Sequence, residues 1–185
     1  MSANSATADR PLTRSTPLTD LLQPDWVAQG TLADLPLDQL LERGIRALVL
    51  DVDRTLLPHR GSDLPAAMEQ WLRQAQRRLP LHLFSNNPSR SRIGGVAERL
   101  GVPFTTSAGK PRRGPLRRVL ESLELPAAQV AIVGDRVFTD VLAGNRLGLF
   151  TVLVKPVDAR GLPCRHDHWQ RLEVRLARLA GAPLI

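Results

Sequence analysis

A chain of 185 residues, 43% of them hydrophobic, is long enough for one domain with a substantial buried core. Its single cysteine, Cys164, excludes an internal disulfide framework, and its apolar runs fall short of the roughly 18 residues that a membrane-spanning helix needs. The formal net charge of +7 favours phosphate-bearing partners, whereas 4% aromatic residues and no tyrosine leave little for stacking on unpaired bases, so no specific nucleic acid is expected.

Residues 1–17 are rich in serine, threonine and alanine, which predicts a disordered leader. An organelle transit peptide is the alternative, weakened by Asp9 and the short length. Residues 18–185 are predicted to form a single domain. We expect a cytoplasmic protein, with peripheral attachment to the inner membrane as a further option.

The first chemically informative segment is an apolar strand at Leu48–Leu50 that continues into the sequence Asp51-Val52-Asp53-Arg54-Thr55. Because side chains two residues apart in an extended chain point to the same side, Asp51 and Asp53 are predicted to face one small volume. Two such carboxylates repel each other unless a cation or a shared proton offsets the charge. A strand followed by an Asx-type turn with solvated carboxylates explains these five residues equally well.

The same pattern of short apolar strand, polar loop and amphipathic helix then repeats along the chain. Four further strands are predicted at 81–84, 102–105, 130–133 and 151–154, and helices are predicted at 64–79, 91–100, 115–123, 140–147 and 168–180. Alternating short strands and helices predict an α/β fold, with a central five-stranded parallel sheet and helices on both faces.

In such a sheet the carboxyl ends of all strands meet at one edge, where ligands bind. Asp51, Ser85, Lys110 and Asp135 all follow strand ends. Lys110 is one of only two lysines beside 23 arginines, which indicates that a compact ammonium is needed there. Together these residues favour the catalytic interpretation of Asp51 and Asp53.

These residues, in this order, resemble the four motifs of haloacid dehalogenase (HAD) superfamily phosphatases. The sequences Ser85-Asn86-Asn87-Pro88 and Gly134-Asp135-Arg136-Val137-Phe138-Thr139-Asp140 are similar to those of the capless IIIA branch, of the YqeG type, which includes phosphatidylglycerophosphate phosphatases. The resemblance implies a Rossmannoid three-layer sandwich without a cap domain. Arg54 departs from the branch, which usually carries asparagine at this position.

Phosphate monoesters hydrolyse so slowly that several groups must cooperate in catalysis. Asp51 is the expected nucleophile and Asp53 the expected acid and base. Mg²⁺ is the expected cofactor, held by the Asp51 carboxylate, the backbone carbonyl of Asp53 and the Asp135 carboxylate, with Asp140 orienting its water or Lys110.

Ser85 and Lys110 are expected to hold the phosphoryl oxygens, with Thr55, Asn86, Arg54, Arg112 and Arg113 as further substrate-binding residues. Each position also has a structural alternative. Thr55 and Ser85 can bond backbone, Asp140 can cap a helix, Asn86 can form a turn, and Lys110 can be solvated.

Two features lie near the C-terminus. Cys164, His166 and His168 do not have the usual spacing of zinc ligands, so a zinc site is disfavoured. The helix at 168–180 carries an apolar stripe, Trp169, Leu172, Leu176 and Leu179, which is predicted to dock on the sheet. An interfacial helix on an anionic membrane is the alternative.

The intervals 51–85 and 85–110 are already filled by predicted loops, helices and a strand, so a cap domain has no room. An open, arginine-rich edge suits phosphate on a lipid at an anionic membrane surface. The resemblance to the capless branch implies phosphatidylglycerophosphate as the substrate. Phosphatases of soluble sugar phosphates or of nucleic-acid ends remain alternatives, as do a phosphoacceptor signalling module and a nucleic-acid-binding module without catalysis.

Overall fold

The computed structural model describes residues 17–59, 61, 63–164 and 167–182. The predicted leader at 1–17 lies outside these residues, apart from Pro17, and so does His166 of the disfavoured zinc site. The strands are β1 (Trp26–Val27), β2 (Ala47–Leu50), β3 (Leu81–Phe84), β4 (Phe104–Thr105), β5 (Val130–Gly134) and β6 (Phe150–Leu153). The α-helices are α1 (Leu18–Leu21), α2 (Leu37–Glu42), α3 (Ala66–Gln76), α4 (Arg90–Leu100), α5 (Arg113–Leu123), α6 (Leu142–Asn145) and α7 (His168–Leu179).

All six strands are parallel and lie in the order β1-β6-β5-β2-β3-β4. The strand that precedes Asp51 is therefore central, with Val49 opposite Ile132 on one side and His82 on the other. The α/β fold is as predicted, but the sheet has six strands rather than five. The additional strand, β1, has only two residues, paired with Val152 and Leu153 of β6, which is too short for an apolar pattern to reveal.

Successive residues of β2 pack on opposite faces of the sheet, as the two-residue period of a strand requires. Leu48 and Leu50 belong to a core that includes α3 and α4, whereas Ala47 and Val49 belong to a second core that includes α5 and α6. Both faces are thus covered, and the result is a three-layer arrangement. This explains why β2 and β5 are apolar throughout instead of alternating with polar residues.

Local signals set the helix ends near their predicted positions. Pro65 precedes the first turn of α3, where its missing N–H costs nothing. The Ser89 side chain accepts a hydrogen bond from the amide of Arg92 at the start of α4, and Gly101 ends that helix in the left-handed conformation. The predicted helix at 140–147 is instead a π-helical turn, Val137–Val141, followed by the short α6.

The prediction for the apolar stripe of α7 was wrong. Trp169, Leu172, Leu176 and Leu179 are exposed, and the helix instead buries Glu173 and Ala177. Glu173 can occupy a buried position because its carboxylate accepts hydrogen bonds from the backbone amides of Val137 and Phe138 and from Arg136. Helical periodicity therefore identified an apolar face but not the face that packs.

Loops alone follow the strands at the carboxyl edge of the sheet. Residues 51–65 connect β2 to α3, and residues 85–89 connect β3 to α4, so neither connection contains a further domain among the described residues. Within the described parts of the chain, the helices are also too short and too polar to cross a bilayer. In the described part of the chain, the carboxyl edge therefore carries no cap of the kind that inserted domains form.

Candidate active site

The parallel register brings the polar residues that follow β2, β3 and β5 to one edge. The amide of Asp51 donates to the carbonyl of Val133 (2.9 Å), and the amide of Ser85 donates to the carbonyl of Thr105 (2.9 Å). Lys110 is brought to the same edge by the loop after β4, where the amide of Ala108 bonds the carbonyl of Ser85 (3.0 Å). The four residues predicted from strand ends are thus collected at one place.

Lys110 is the centre of a buried ionic cluster. Its Nζ donates to Oδ1 of Asp51 at 2.5 Å and to Oδ1 of Asp140 at 2.6 Å, and it also donates to the carbonyl of Phe84 at 3.0 Å. All three ionisable side chains are almost inaccessible to solvent. Lys110 is therefore buried, and the alternative interpretation of it as a solvated surface lysine is wrong.

Burial has a strong effect on the ionisation of Asp51. It raises the pKa of Asp51 to about 7, against the opposing effect of Lys110, and the neighbouring Asp140 carboxylate raises it further. Burial alone would lower the pKa of Lys110, but the Asp140 and Asp51 carboxylates outweigh it and raise that pKa. Lys110 therefore keeps its positive charge, whereas Asp51 titrates near neutral pH when no other cation is present.

A third buried carboxylate, Asp135, lies against the same cluster. Oxygen atoms of Asp51, Asp135 and Asp140 all lie within 4.8 Å of one another. Burial, followed by the charges of Asp51 and Asp140, raises the pKa of Asp135 well above its ordinary value. Its Oδ2 has no hydrogen-bond partner among the described residues, and the nearest guanidinium atom, Nε of Arg54, is 3.8 Å away.

Gly134 makes this close approach possible. A Cβ atom at this position would lie 2.3 Å from both Cγ and Oδ2 of Asp140. Asp140 is held there because its Oδ2 accepts a hydrogen bond from the amide of Arg136 (3.1 Å). The glycine therefore leaves the space in which Asp140 folds back onto the loop that carries Asp135.

The three carboxylates fit a hard divalent cation. They offer oxygen atoms, which Mg²⁺ prefers, and Lys110 alone does not balance their charge. The unpartnered Oδ2 of Asp135 is a buried polar atom that lacks the partner such atoms normally have. The side chain of Asp53 is not part of this group. Asp53 was expected to hold the metal through its backbone carbonyl, and that role stays a prediction.

Asp53 instead belongs to a separate hydrogen-bonded group. Its Oδ2 accepts from Oγ of Ser85 (2.9 Å), and its Oδ1 accepts from Nδ2 of Asn87 (3.2 Å) and from Nε of Arg92 (3.2 Å). Neither Asn87 nor Arg92 was among the predicted site residues. The sequence offered a signal for both, since Asn87 lies two residues after Ser85 and Arg92 lies in the first turn of the helix that follows.

The remaining predicted site residues occupy different environments. Both polar atoms of the Asn86 side chain bond the backbone of Lys110, at 2.7 and 3.2 Å, so this residue positions the lysine. Thr55 is fully buried, and its hydroxyl has no hydrogen-bond partner among the described residues. Arg112 and Arg113 are exposed at the start of α5. Their contacts with substrate stay predictions.

Arg54 connects the loop after β2, which carries Asp51 and Asp53, to α7. Its backbone adopts the left-handed conformation (φ 69°), which is uncommon for a residue with a side chain, and its guanidinium forms an ion pair with Asp167. Asp167 in turn caps α7 by accepting hydrogen bonds from the amides of Trp169 and Gln170. Arg54, which stands where the resembled branch usually carries asparagine, therefore forms an ion pair within the protein.

Comparison with known proteins agrees with this geometry. A family model described as HAD-hydrolase-like matches residues 107–161. The chain is 34% identical over 121 residues to a probable phosphatase, YqeG, of Bacillus subtilis, covering 65% of this chain and 70% of that protein. It is 32% identical over 135 residues to the chloroplastic phosphatidylglycerophosphate phosphatase 1 of Chlamydomonas reinhardtii, covering 65% of this chain but only 48% of the relative.

The fold is also found among solved structures. A putative HAD family hydrolase from Streptomyces avermitilis superposes with a TM-score of 0.50 at 20% identity, covering 81% of this chain and 83% of that one. The parallel sheet and the matched sequence define an enzyme, a phosphatase of the HAD-like hydrolases. Within that class the chain belongs to the YqeG-type family.

Proposed function

We propose that this phosphatase transfers the phosphoryl group of a monoester to Asp51 and then to water, with phosphatidylglycerophosphate as the substrate and phosphatidylglycerol as the product. The observation that supports the mechanism is the buried position of Asp51 at the end of the central strand, 2.5 Å from the Lys110 ammonium. A carboxylate there is shielded from bulk water and faces the open edge of the sheet.

In the first half-reaction, an oxygen of Asp51 attacks phosphorus as the bond from phosphorus to the ester oxygen breaks. This gives an aspartyl-phosphate and an alkoxide, which takes a proton from Asp53 and leaves as an alcohol. The hydrogen bonds from Ser85, Asn87 and Arg92 fix the Asp53 carboxyl group in one orientation. A fixed orientation suits a group that must deliver a proton to one atom.

In the second half-reaction, Asp53 removes a proton from water, and the resulting hydroxide attacks phosphorus. The bond from phosphorus to the Asp51 oxygen breaks, which releases inorganic phosphate and restores both carboxyl groups to their starting states. One residue therefore acts as acid in the first step and as base in the second.

Lys110 and Ser85 provide the positive charge and the hydroxyl for the phosphoryl oxygens. Lys110 remains charged because Asp140 and Asp51 raise its pKa, so it can neutralise part of the charge that develops. Asn86 holds the lysine through two hydrogen bonds to its backbone. Asp51, Asp135 and Asp140 would hold Mg²⁺, which offsets the repulsion between the Asp51 carboxylate and the phosphate dianion.

A lipid substrate is supported by three observations. The carboxyl edge carries loops rather than an inserted domain, so a phosphate on a large carrier can reach it. The chain has a formal charge of +7, and Arg112 and Arg113 are exposed at that edge. A relative, the Chlamydomonas protein, is named as a phosphatidylglycerophosphate phosphatase. We place the enzyme at the cytoplasmic surface of the inner membrane, bound peripherally.

The test compares kcat/KM for phosphatidylglycerophosphate in mixed micelles with kcat/KM for soluble sugar phosphates and for 5′-phosphorylated DNA. The proposal predicts a clear preference for the lipid, activity that requires Mg²⁺, and loss of activity in EDTA. A preference for a soluble substrate would contradict the lipid assignment but not the aspartyl-phosphate mechanism. Full activity in EDTA would contradict the role of the three carboxylates.

A further inference from the structure

One surface of α7 is apolar and remains uncovered in the described structure. Trp169, Leu172, Leu176 and Leu179, here called the α7 stripe, are 63%, 46%, 45% and 84% exposed. Their spacing of three, four and three residues places all four on one side of the helix. Single exposed leucines are common, but four large apolar side chains in one row are not.

The side of α7 next to the stripe already packs against the protein. Ala177 is buried in a core with Val137 and Val141 of the π-helical turn, and Glu173 bonds the backbone of the same turn. The helix therefore does not need the α7 stripe for its attachment. Exposed arginines, Arg171, Arg175 and Arg178, form the row on the side of the stripe away from Glu173.

α7 is also joined to the active site. Nε2 of Gln170 donates to the carbonyl of Asp135 (2.7 Å) and to that of Val154 (2.8 Å). Asp167 at the N-terminus of the helix forms an ion pair with Arg54. A surface that holds α7 would consequently be held close to the carboxyl edge.

We infer that the α7 stripe and its arginine row form a docking surface for an anionic lipid bilayer, with the helix lying in the plane of the interface. This inference rests on the proposed lipid substrate. With 12 residues, α7 is too short to span a bilayer, so binding must be parallel to the surface.

Charge complementarity is the argument for a bilayer. An interfacial helix combines large apolar side chains with a row of basic residues, and tryptophan is favoured at the boundary between lipid and water. The long arginine side chains can extend towards lipid phosphates while the leucines enter the acyl region. The formal charge of +7 on the whole chain also favours binding to an anionic surface.

The experiment measures binding of the full chain to vesicles of phosphatidylcholine, with and without phosphatidylglycerol, by flotation. Binding is expected to require the anionic lipid and to weaken with salt. The double variant Leu172→Gln/Leu176→Gln should bind about tenfold more weakly or worse, because two leucines no longer enter the bilayer. The matched variant Leu172→Met/Leu176→Met keeps the surface apolar and should bind like the wild type.

Charge is tested with a second matched pair. Arg175→Glu should weaken binding to the anionic vesicles severalfold. Arg77→Glu makes the same charge change at the end of α3, at the opposite edge of the sheet, and should have little effect. Equal effects of both variants would show non-specific attraction and would overturn the inference.

Tryptophan fluorescence reports on the contact itself. Of the three tryptophans, Trp169 is exposed, Trp71 is 6% exposed and hydrogen-bonded to the carbonyl of Leu35, and Trp26 is partly buried with Arg43 over its ring. Brominated lipids should therefore quench the wild-type emission and leave that of Trp169→Phe almost unchanged. Unquenched Trp169, or binding that the double glutamine variant does not weaken, would overturn the inference. So would a concentration-dependent dimer that the same variant abolishes, because the α7 stripe would then be a protein interface.

Failure of this inference and failure of the proposed function are distinguishable. An enzyme that hydrolyses phosphatidylglycerophosphate in micelles but binds vesicles without α7 keeps its proposed substrate and loses the docking surface. An enzyme that binds vesicles through α7 but prefers a soluble phosphate keeps the docking surface and loses the proposed substrate. The vesicle measurements need no turnover, so an inactive Asp51→Asn protein gives the same answer.

Discussion

Arg92 donates from Nε to Oδ1 of Asp53 across 3.2 Å, and its terminal nitrogens bond the carbonyl oxygens of Pro58 and Gly61. One guanidinium from α4 therefore holds both the proposed acid and base and the loop that follows it. Since Asp53 must transfer a proton to one particular oxygen, its orientation should matter as much as its presence.

We predict that Arg92→Met lowers kcat about tenfold for an alkyl phosphate, a fraction of the 10²–10⁴-fold typical of complete loss of acid–base catalysis. The loss should be smaller for p-nitrophenyl phosphate, whose leaving group needs no proton. Arg90→Met is the control, because Arg90 lies on the same helix but stacks over Phe104 at 5.3 Å. Equal losses with both substrates would argue against a role through Asp53.

The acidic cluster predicts an unusual effect of Asp135→Asn on stability. In EDTA at pH 8 this variant should be more stable than the wild type by about 1 kcal/mol, because it removes a buried charge whose Oδ2 has no hydrogen-bond partner among the described residues. Mg²⁺ should raise the melting temperature of the wild type but not that of the variant. Thermal unfolding with and without Mg²⁺ measures both effects, and a variant that Mg²⁺ stabilises equally would contradict the assignment.

Binding of Mg²⁺ should also depend on pH. Because the pKa of Asp51 is raised to about 7 when no divalent cation is bound, a proton competes with the cation below that pH. The shift in melting temperature at fixed Mg²⁺ should therefore shrink between pH 8 and pH 6. A shift that is constant over this interval would indicate that Asp51 is not a ligand.

His82 offers a separate test of the fold. It lies in β3 with Nε2 2.9 Å from Oγ1 of Thr105, and burial lowers its pKa from 6.5 to about 4. Between these values the unfolded chain binds a proton that the folded chain does not, so this residue's contribution to stability falls as pH decreases from 6.5 to 4. The loss of stability over the whole interval is at most about 3.5 kcal/mol, at about 1.4 kcal/mol for each pKa unit.

The buried carboxylates act in the opposite direction over part of this range, so the comparison must be made against a variant. His82→Gln keeps a polar group near Thr105 without titrating. The difference in unfolding free energy between wild type and variant should decrease steadily from pH 6.5 to pH 4 in urea titrations. A difference that does not change with pH would show that His82 is not held neutral in the folded protein.

Two glycines with different surroundings form a matched pair. Gly134→Ala should destabilise the protein by about 3 kcal/mol, because the new Cβ would lie 2.3 Å from the Asp140 carboxyl group. Gly95→Ala, in the middle of α4 with no atom within 4 Å of the new Cβ, should stabilise it by about 0.5 to 1 kcal/mol. Urea unfolding measures both changes, and a neutral Gly134→Ala would contradict the close approach of Asp140.

Much of the fold follows from local sequence signals. The strands that precede Asp51, Ser85 and Asp135 were predicted within a residue of their bounds, because each is a short apolar run that ends in polar residues. Caps placed α4 within a residue as well, whereas α3 begins two residues later and ends three residues earlier than predicted. Since parallel strands share one carboxyl edge, the collection of Asp51, Ser85, Lys110 and Asp135 followed without knowledge of the strand order.

The features that were not predicted depend on contacts distant in sequence. β1 exists only because Trp26 and Val27 pair with β6, more than a hundred residues away. The buried position of Glu173 depends on amides of the π-helical turn, so periodicity within α7 could not identify the packed face. The partners of Asp53 were likewise unpredictable in detail, since Arg92 reaches it only through the packing of α4.

The central claim is that Asp51 carries the phosphoryl group during turnover. The most direct measurement mixes the Asp53→Asn variant, which should form the intermediate from an activated ester but hydrolyse it slowly, with p-nitrophenyl phosphate, and quenches it in acid for peptide mass analysis. We expect one added phosphoryl group on the peptide that contains Asp51, and none when Asp51→Asn is introduced as well. An unmodified peptide during a burst of p-nitrophenol, or steady-state turnover by Asp51→Asn alone, would contradict it.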